Sequence, residues 1–258
     1  MKNKIWWYML VVVVLILMSI TIIVCSKRND NNNSATNVID RFQRPLKIFN
    51  LILYSPESEY DQMRDILDDY LTKKNIPHLF YMFDETLDTP FVVKDNILRI
   101  KGKETYIPGI TIKTLIAIAY VYKHYNFDYL VRTNISSIVN WNLLEKSLID
   151  NPVYYGGSWV IKGFWGRFPY AAGTSIILSR KAVKYMINHL SKIDTSLIDD
   201  VAIGKFFHNE RIKLQWVGDT GINIRKKNPK TIVYRNKRKH RSKDVEVMQN
   251  IANSLLYY

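Results

Sequence analysis

Short polar groups interrupt the apolar stretches of this sequence at points where strands are expected to end. Arg132 to Ser137 (RTNISS) follows one apolar run, Gly156-Gly157-Ser158 follows another, and Asp199-Asp200 precedes an apolar helical stretch. An aspartate in such a place can act as a general base or can cap a helix, and the sequence favours the two equally. Arginine, asparagine and serine bind phosphate or hydroxyl groups through hydrogen bonds. These groups therefore indicate a ligand site at the strand ends.

The short motifs of several large enzyme classes are missing. The sequence contains no GxxxxGK[ST], GxGxxG, GxSxG, HExxH or paired CxxC. Their absence argues against a phosphate-binding-loop NTPase, a dinucleotide-binding Rossmann domain, an α/β-hydrolase and a zinc protease.

Positive charge is concentrated near the carboxyl terminus. The formal net charge is +14, and residues 225–243 hold ten Lys and Arg with no acid, so the remainder sums to +4 (14 − 10). Such a segment suits anionic lipid, nucleic acid or the diphosphate of a substrate, and a solvated basic tail is the alternative.

Strands and helices alternate along the chain and would position these polar groups. The apolar runs that predict strands are Leu46–Tyr54, His78–Phe83, Ile97–Ile100, Asp128–Arg132, Val153–Tyr155 and Thr174–Leu178. Helical spacing of apolar residues follows several of them, as in Thr111–Tyr125. This alternation predicts an α/β fold with a largely parallel sheet between helices, in which ligands bind at the carboxyl ends of the strands.

Helix starts can also be read from the sequence. Ser55-Pro56-Glu57 matches an N-cap followed by a first-turn proline and acid, and Asn142 with Glu145 three residues later predicts a second start. Ser179 is expected to cap a helix over Arg180–Leu190.

The amino-terminal part predicts a membrane anchor. After a short tail of residues 1–4, Ile5 to Cys25 is an uncharged run of about 21 residues, enough to span a hydrocarbon core of about 30 Å. A cleaved signal peptide and a lipidated Cys25 are the alternatives. We expect a single-pass protein with a cytoplasmic amino terminus (type II), a polar stem over residues 26–44 and one domain over 45–258.

Several segments between Leu46 and Phe207 resemble the nucleotide-sugar glycosyltransferases of the GT-A fold, specifically the beta-1,3-galactosyltransferase and Fringe-like group. The segments that carry the resemblance are Glu104-Thr105-Tyr106 with Ile112-Lys113-Thr114-Leu115, Tyr129-Leu130-Val131-Arg132-Thr133, the stretch Tyr170 to Ser179 (YAAGTSIILS), and Ile198-Asp199-Asp200-Val201-Ala202-Ile203-Gly204. The resemblance implies a GT-A-like mixed sheet flanked by helices, and an inverting transfer from a UDP- or GDP-sugar to a glycan or glycoprotein.

The resemblance also implies roles for individual residues. The catalytic base is Asp200, with Asp199 as the alternate. The residues expected to bind the donor are Arg132, Thr133, Asn134, Ser136, Arg235 and Lys237. The residues expected to bind the acceptor are Gly157, Trp159 and Gly173.

The sequence departs from this family at the metal site. Where the family carries an acidic triplet that holds Mn²⁺ against the donor diphosphate, this chain has Asn134, Ile135 and Ser136, which are poor ligands for a hard cation such as Mn²⁺ or Mg²⁺. The usual metal site is therefore not expected, and binding of Mn²⁺ or Mg²⁺ through other ligands stays open. Either Arg132 together with Tyr234–Lys237 replaces the metal, because arginine binds phosphate through paired charge-assisted hydrogen bonds, or the domain has lost catalysis.

Structural interpretations compete with these roles. Asn134 and Ser136 are common in turns, the glycines suit ordinary turns, and Trp159, Trp165 and Tyr170 suit either a sugar-stacking platform or the core. Two other functions also compete with catalysis. One is an inactive relative that binds a glycan or acts as a scaffold, and the other is a basic module that binds nucleic acid or anionic membrane. We expect no nucleic-acid partner if the domain is a transferase.

Overall fold

A computed structural model describes residues 45–162 and 168–256. Its strands are β1 (Ile48–Leu53), β2 (His78–Asp84), β3 (Phe91–Lys94), β4 (Ile97–Lys101), β5 (Tyr129–Asn134), β6 (Ser137–Val139), β7 (Tyr155–Gly157), β8 (Val160–Lys162), β9 (Pro169–Ala171), β10 (Ile176–Ser179), β11 (Gln215–Trp216), β12 (Asp219–Ile222) and β13 (Thr231–Arg235). Its helices are α1 (Ser58–Lys73), α2 (Gly109–His124), α3 (Trp141–Asp150), α4 (Arg180–Asn188), α5 (Asp199–Asn209) and α6 (Ser242–Leu256), with a 3₁₀ turn at Leu190–Lys192.

Eight strands form the main sheet in the order β11-β7-β10-β5-β1-β2-β4-β3. β1 is parallel to both neighbours, β2 and β5. β10 is antiparallel to β5 and β7, and β3 is antiparallel to β4. The fold is therefore α/β with a mixed sheet, and the expectation of a largely parallel sheet holds only for its central strands.

The chain leaves β1 in one direction to form β2 and later returns to the other side of β1 to form β5. The strand order thus reverses between β1 and β5, and in open α/β sheets the crevice at such a point is where ligands bind. A three-stranded sheet, β12-β13-β6, lies beyond the end of β5, and β8 pairs with β9.

The two faces of the main sheet carry separate cores, which follows from the alternation of side chains along a strand. In β1, Ile48 and Ile52 belong to the core shared with α1, α3 and α6, whereas Phe49 and Leu51 belong to the core shared with α2, α4 and α5. Because both faces of the sheet are covered by helices, the central strands are apolar at successive positions and appear in the sequence as continuous apolar runs.

Most predicted elements are present, and Ser179 caps α4 by accepting a hydrogen bond from Ala182 N. Two predicted starts are wrong. The N-cap of α1 is Glu57 and not Ser55, so the helix begins at Ser58. The cap of α3 is Asn140, whose side chain accepts from Leu143 N, because the chain turns into the helix directly after β6.

The predicted membrane span over residues 5–25, the stem over 26–44 and Trp165 all lie outside the described residues. Within the described ranges, no helix has both the length and the apolar character that crossing a membrane requires.

Candidate functional site

A cavity of about 410 Å³ opens at the carboxyl ends of β1 and β5. It is lined by residues that follow β1 and β5, by the starts of α1, α2 and α5, and by the carboxyl-terminal segment. The polar and charged lining residues are Tyr54, Ser55, Glu57, Tyr60, Tyr106, Arg132, Asn134, Ser136, Asp199, Asp200, Arg235 and Arg241. Two of the polar groups that the sequence singles out, Arg132 to Ser137 and Asp199-Asp200, therefore contribute to a cavity at the point where the strand order reverses, whereas Gly156-Gly157-Ser158 does not.

Arg132, on β5, organises the floor of this cavity while being only 1% exposed. Its Nη2 lies 2.5 Å from Asp199 Oδ2. Its Nη1 donates to Asn134 Oδ1 and to the carbonyl oxygen of Gly173, both at 2.7 Å, and its Nε donates to the hydroxyl of Tyr81 at 3.1 Å. All three nitrogens are thus engaged by protein groups, so Arg132 joins β5 to the loop before β10 and to α5.

Asp199 is the buried partner of this arginine. Its Oδ2 also accepts a hydrogen bond from Thr114 Oγ1 at 3.0 Å. Thr114 Oγ1 lies 2.9 Å from the hydroxyl of Tyr81, whose pKa burial raises to about 12, so that it stays protonated at neutral pH. Asp199 Oδ2 is therefore engaged by both Arg132 and Thr114, which makes this side chain a structural anchor for the start of α5.

Asp200 has a different environment one residue later. Its Oδ2 accepts from the backbone N–H of Gly173 at 2.9 Å and its Oδ1 from that of Val201 at 2.8 Å. Burial raises the pKa of Asp200, and the charge of Asp199 raises it further. Each carboxylate oxygen retains a second lone pair. The N-cap position of α5 is Ile198, and Asp200 lies in the first turn, where it satisfies the free N–H of Val201. The same carboxylate lines the cavity, so it stabilises the helix start and is also available to a ligand.

Arg235 ends β13 on the opposite wall and is half-buried. Its Nη1 donates to Ser136 Oγ. Among the described residues no carboxylate lies within ion-pair distance of it. Burial lowers the pKa of Arg235 to about 10, with added repulsion from Arg241 and Arg132, yet it remains charged at neutral pH. A partly buried cation without a counter-ion is costly, and an anionic ligand would remove that cost.

The carboxyl-terminal segment closes the same wall. Arg241 Nη1 lies 2.9 Å from Asp244 Oδ2, and its Nη2 donates to the hydroxyl of Tyr60 on α1 at 3.4 Å. Asp244 is fully buried and also pairs with Arg238 at 2.8 Å. Since α6 packs against α1 through these contacts and its apolar face, the basic segment near residues 235–241 is an integral part of the domain.

A second ion pair, between the buried Lys113 and the exposed Glu104, borders the cavity, and the sequence assigns it no role. Lys113 Nζ lies 2.6 Å from Glu104 Oε2, and it also approaches the carbonyl oxygen of Tyr54 at 3.3 Å and Ser55 Oγ at 3.4 Å. Burial lowers the pKa of Lys113. A lysine between Ile112 and Leu115 in an apolar helix was the available signal. The pair fixes the turn after β1, which lines the cavity.

Four residues predicted to bind substrate do not line this cavity. Thr133 lies on the face of the sheet opposite to its neighbour Arg132, and its hydroxyl donates to Asn50 Oδ1 at 3.1 Å. Gly157 is buried in β7, where an added Cβ would meet the Cβ of Ala171 at 2.6 Å. Trp159 and Lys237 contact each other instead, with the Lys237 ammonium 5.2 Å from the indole centre.

The cavity does not offer a suitable set of metal ligands. Within residues 45–162 and 168–256, no three His, Cys, Asp or Glu side chains are grouped to hold a metal ion. The side-chain carbonyl oxygen of Asn134 accepts a hydrogen bond from Arg132, and Asp199 is paired with the same guanidinium. Hard cations need several oxygen ligands, preferably carboxylates, so this donor set does not fit Mn²⁺ or Mg²⁺.

Comparison with known proteins gives structural similarities only. No family model and no curated protein matches the sequence. A glycosyltransferase involved in the glycosylation of the major capsid of PBCV-1 is similar with a TM-score of 0.47 and 12% identity, covering 78% of this chain and 98% of that one. The galactosyltransferase LgtC in complex with donor and acceptor sugar analogs is similar with a TM-score of 0.42 and 12% identity, covering 78% of this chain and 96% of that one. A mutant Drosophila β-1,4-galactosyltransferase 7 in complex with manganese, UDP-Gal and xylobiose is similar with a TM-score of 0.40 and 10% identity, covering 72% of this chain and 69% of that one.

Proposed function

We propose that this protein is a glycosyltransferase that moves a sugar from a UDP- or GDP-sugar to a hydroxyl of a glycan or glycoprotein. The observation that carries the proposal is that a half-buried carboxylate, Asp200, and a guanidinium without a carboxylate partner among the described residues, Arg235, line one cavity at the ends of β1 and β5. The sequence resemblance to the GT-A beta-1,3-galactosyltransferase and Fringe-like group supports the same assignment.

In the proposed reaction Asp200 acts as the general base. It takes the proton of the acceptor hydroxyl as that oxygen attacks the anomeric carbon of the donor sugar. The bond between the anomeric carbon and the phosphate oxygen breaks, and the nucleoside diphosphate leaves with the bonding electrons. A single displacement of this kind inverts the configuration at the anomeric carbon.

The donor diphosphate is assigned to the opposite wall. Arg235 is the main anion ligand, because it lacks a carboxylate partner among the described residues, and Arg241 adds positive charge nearby. Asn134 and Ser136 supply polar groups beside them. Arg132 serves these ligands indirectly, by holding Asn134 and the Gly173 carbonyl in place. Neutralisation of the leaving group by arginine makes the proposed reaction independent of a metal ion.

We also propose that residues 5–25 anchor the chain in a lipid bilayer as a type II single-pass protein, with residues 26–44 as a short stem. The length and apolar character of the first segment support this. A flexible stem of this size reaches only about 25 Å, which keeps the domain near the bilayer.

The test is donor turnover by the full chain in detergent, with a panel of UDP- and GDP-sugars, with and without EDTA. Wild type is compared with Asp200→Asn and with Lys101→Ala, an exposed lysine at the end of β4. Turnover that persists in EDTA and is lost only in Asp200→Asn supports the proposal.

Other outcomes separate the alternatives. Turnover that EDTA abolishes would remove metal independence while keeping the transferase assignment. Binding of a nucleotide or glycan by a folded wild-type protein, with no turnover on any donor, would favour the inactive glycan-binding or scaffold function. Turnover unchanged in Asp200→Asn would eliminate this residue as the base.

A further inference from the structure

The exposed loop between β12 and β13 carries a compact group of positive charges. Arg225, Lys226 and Lys230 are exposed and Lys227 is half-buried, so four cations fall within six residues. No acidic residue lies between Asp219 and Asp244. We call residues 225–230 the basic loop. It is separate from the cavity, whose lining contains none of its residues.

The basic loop lies at the amino-terminal edge of the main sheet. α1 leaves the cavity at Ser58 and ends at Lys73, just before β2 begins, and so it reaches that edge after about 24 Å. Tyr70, near the end of α1, donates to the carbonyl oxygen of Val139 at 2.8 Å, and Val139 pairs with Val233 near the start of β13. The loop that precedes β13 therefore lies close to the end of α1. At the same end of α1, Asp69 is already paired with Lys73 at 2.7 Å.

The strand β13 relates the loop to the cavity. It starts at Thr231, directly after the basic loop, and ends at Arg235 in the cavity wall. Five residues of extended chain separate the two by about 13 Å along the strand. The loop and the cavity therefore lie at opposite ends of the same strand, and a surface that covers the loop leaves the cavity open.

The chain enters the domain at the same edge as the basic loop. Lys47 immediately precedes β1 and is exposed, its N–H donates to Asp128 Oδ2 at 2.9 Å, and Leu46 N donates to Glu145 Oε1. Both contacts lie at the amino-terminal ends of the parallel strands. Residue 45, where the described part of the chain begins, therefore lies on this side of the domain.

We propose that the basic loop, with Lys47 and Lys74, is a contact surface for an anionic lipid bilayer, which orients the domain so that its cavity opens away from the membrane. The proposal uses the anchoring proposed above to bring the domain to the bilayer, and it is independent of catalysis. Clustered Lys and Arg close to a membrane are attracted to anionic headgroups, and each contributes about fivefold in binding.

The test is lysine acetylation of the full chain reconstituted in vesicles, with peptide mass spectrometry as the readout. The vesicles are phosphatidylcholine alone or phosphatidylcholine with about one third phosphatidylserine. We expect Lys226 and Lys230 to react about fivefold more slowly on the anionic vesicles, and this protection to disappear at about 0.5 M salt because of screening. Lys101 and Lys103, at the cavity end of β4, should react equally on both.

Charge-reversal variants give the matched comparison. In the double variant Lys226→Glu with Lys230→Glu, the remaining Lys227 should lose its protection, whereas Lys101→Glu with Lys103→Glu should leave it intact. All four side chains are exposed, so neither variant removes buried contacts.

Equal acetylation on neutral and anionic vesicles would overturn the proposal. Protection by an added RNA oligonucleotide but not by anionic vesicles would overturn it in favour of nucleic-acid binding. Because the readout is acetylation, a failed transferase assay has no bearing on it.

Discussion

Arg132 and Asp199 form a buried ion pair with 2.5 Å between Nη2 and Oδ2, and their side chains are only 1% and 3% exposed. The two residues come from different elements, β5 and the first turn of α5. Their contact fixes the start of α5 against the end of β5, and Asp200 follows directly on that turn. The position of the proposed base is therefore determined by a neighbouring charge pair that itself takes no part in proton transfer.

We predict that Arg132→Met strongly destabilises the protein. Removing one partner of a buried pair leaves an uncompensated charge, which costs about 3–5 kcal/mol. For a domain of this size that corresponds to a fall in Tm on the order of 10 °C. Thermal unfolding of the full chain in detergent measures it.

The control is Lys192→Ala, which removes a partner of Glu210 from a pair whose lysine is 52% exposed. An exposed pair contributes about 1 kcal/mol or less, so the Tm should barely change. If the double variant Arg132→Met with Asp199→Leu recovers much of the lost stability, the penalty arises from the unpaired charge. A Tm of Arg132→Met close to that of wild type would contradict the pairing.

The order of strands and helices could be predicted because apolar periodicity records burial. The run Leu46–Tyr54 predicted a buried strand, and β1 occupies Ile48–Leu53. The direction of β10 could not be predicted, because hydrophobic strands read alike whether they pair parallel or antiparallel. Ser55 predicts too early a start for α1, because its contact with Lys113, which is paired with Glu104, holds it in the turn after β1.

The structure brings together several residues that the sequence singles out, and their roles stay predictions. Asp200, Arg235 and Gly173 meet at or around the cavity, since each stands near an element end. Arg132 was interpreted as a phosphate ligand, but its nitrogens all point to protein groups. Sequence shows which residue types follow a strand, whereas pairing depends on residues that are distant in the chain, such as Asp199.

We predict that Asp200→Asn abolishes transfer without lowering stability. Loss of the general base should reduce kcat by about 10²- to 10⁴-fold. The pKa of Asp200 is raised in the folded protein, so ionisation disfavours the fold as pH rises through the unfolded and folded pKa values. The neutral side chain avoids this penalty, but its NH2 group replaces one oxygen that accepts from a backbone N–H. The two effects oppose each other, so the Tm at neutral pH should change little. A parallel loss of Tm and activity would indicate a structural role.

The same raised pKa predicts the pH dependence of the reaction. Transfer requires ionised Asp200, so kcat/KM should rise with pH through a pKa above the usual aspartate value of about 3.9. In Asp199→Asn the neighbouring negative charge is gone, which should move this limb to lower pH. Profiles of kcat/KM against pH for wild type and Asp199→Asn show whether the acid limb of the variant lies at the lower pH. A limb that shifts upward in the variant, or no acid limb at all, is incompatible with Asp200 as the base.

We predict that Arg235→Ala weakens donor binding far more than Lys237→Ala. Each charge-assisted hydrogen bond contributes about 1.5–3 kcal/mol, so KM for the donor should rise by about 10- to 100-fold. Lys237 is exposed and lies over Trp159, outside the cavity lining, so its removal should leave KM nearly unchanged. Initial rates at varied donor concentration give both values, and equal effects of the two substitutions would argue against the assignment of the diphosphate to Arg235.

The backbone of Gly173 joins the proposed base to the buried arginine. Its N–H donates to Asp200 and its carbonyl accepts from Arg132 Nη1. A Cβ at this position would lie 2.7 Å from that same Nη1, so Arg132 or the loop must move. Gly173→Ala is expected to cost about 1–3 kcal/mol of stability through overpacking, and also to lower kcat because Asp200 loses its fixed donor.

Gly157→Ala provides the comparison, since its Cβ would meet Ala171 at 2.6 Å and the Ser175 carbonyl oxygen at 2.8 Å. It should lower the Tm to a similar extent, whereas kcat per folded molecule should be preserved because Gly157 does not line the cavity. Activity measured well below both Tm values, normalised to folded protein, distinguishes the two. If Gly157→Ala lowers kcat as much as Gly173→Ala does, the site extends to β7, and the acceptor role first inferred for Gly157 from the sequence regains support.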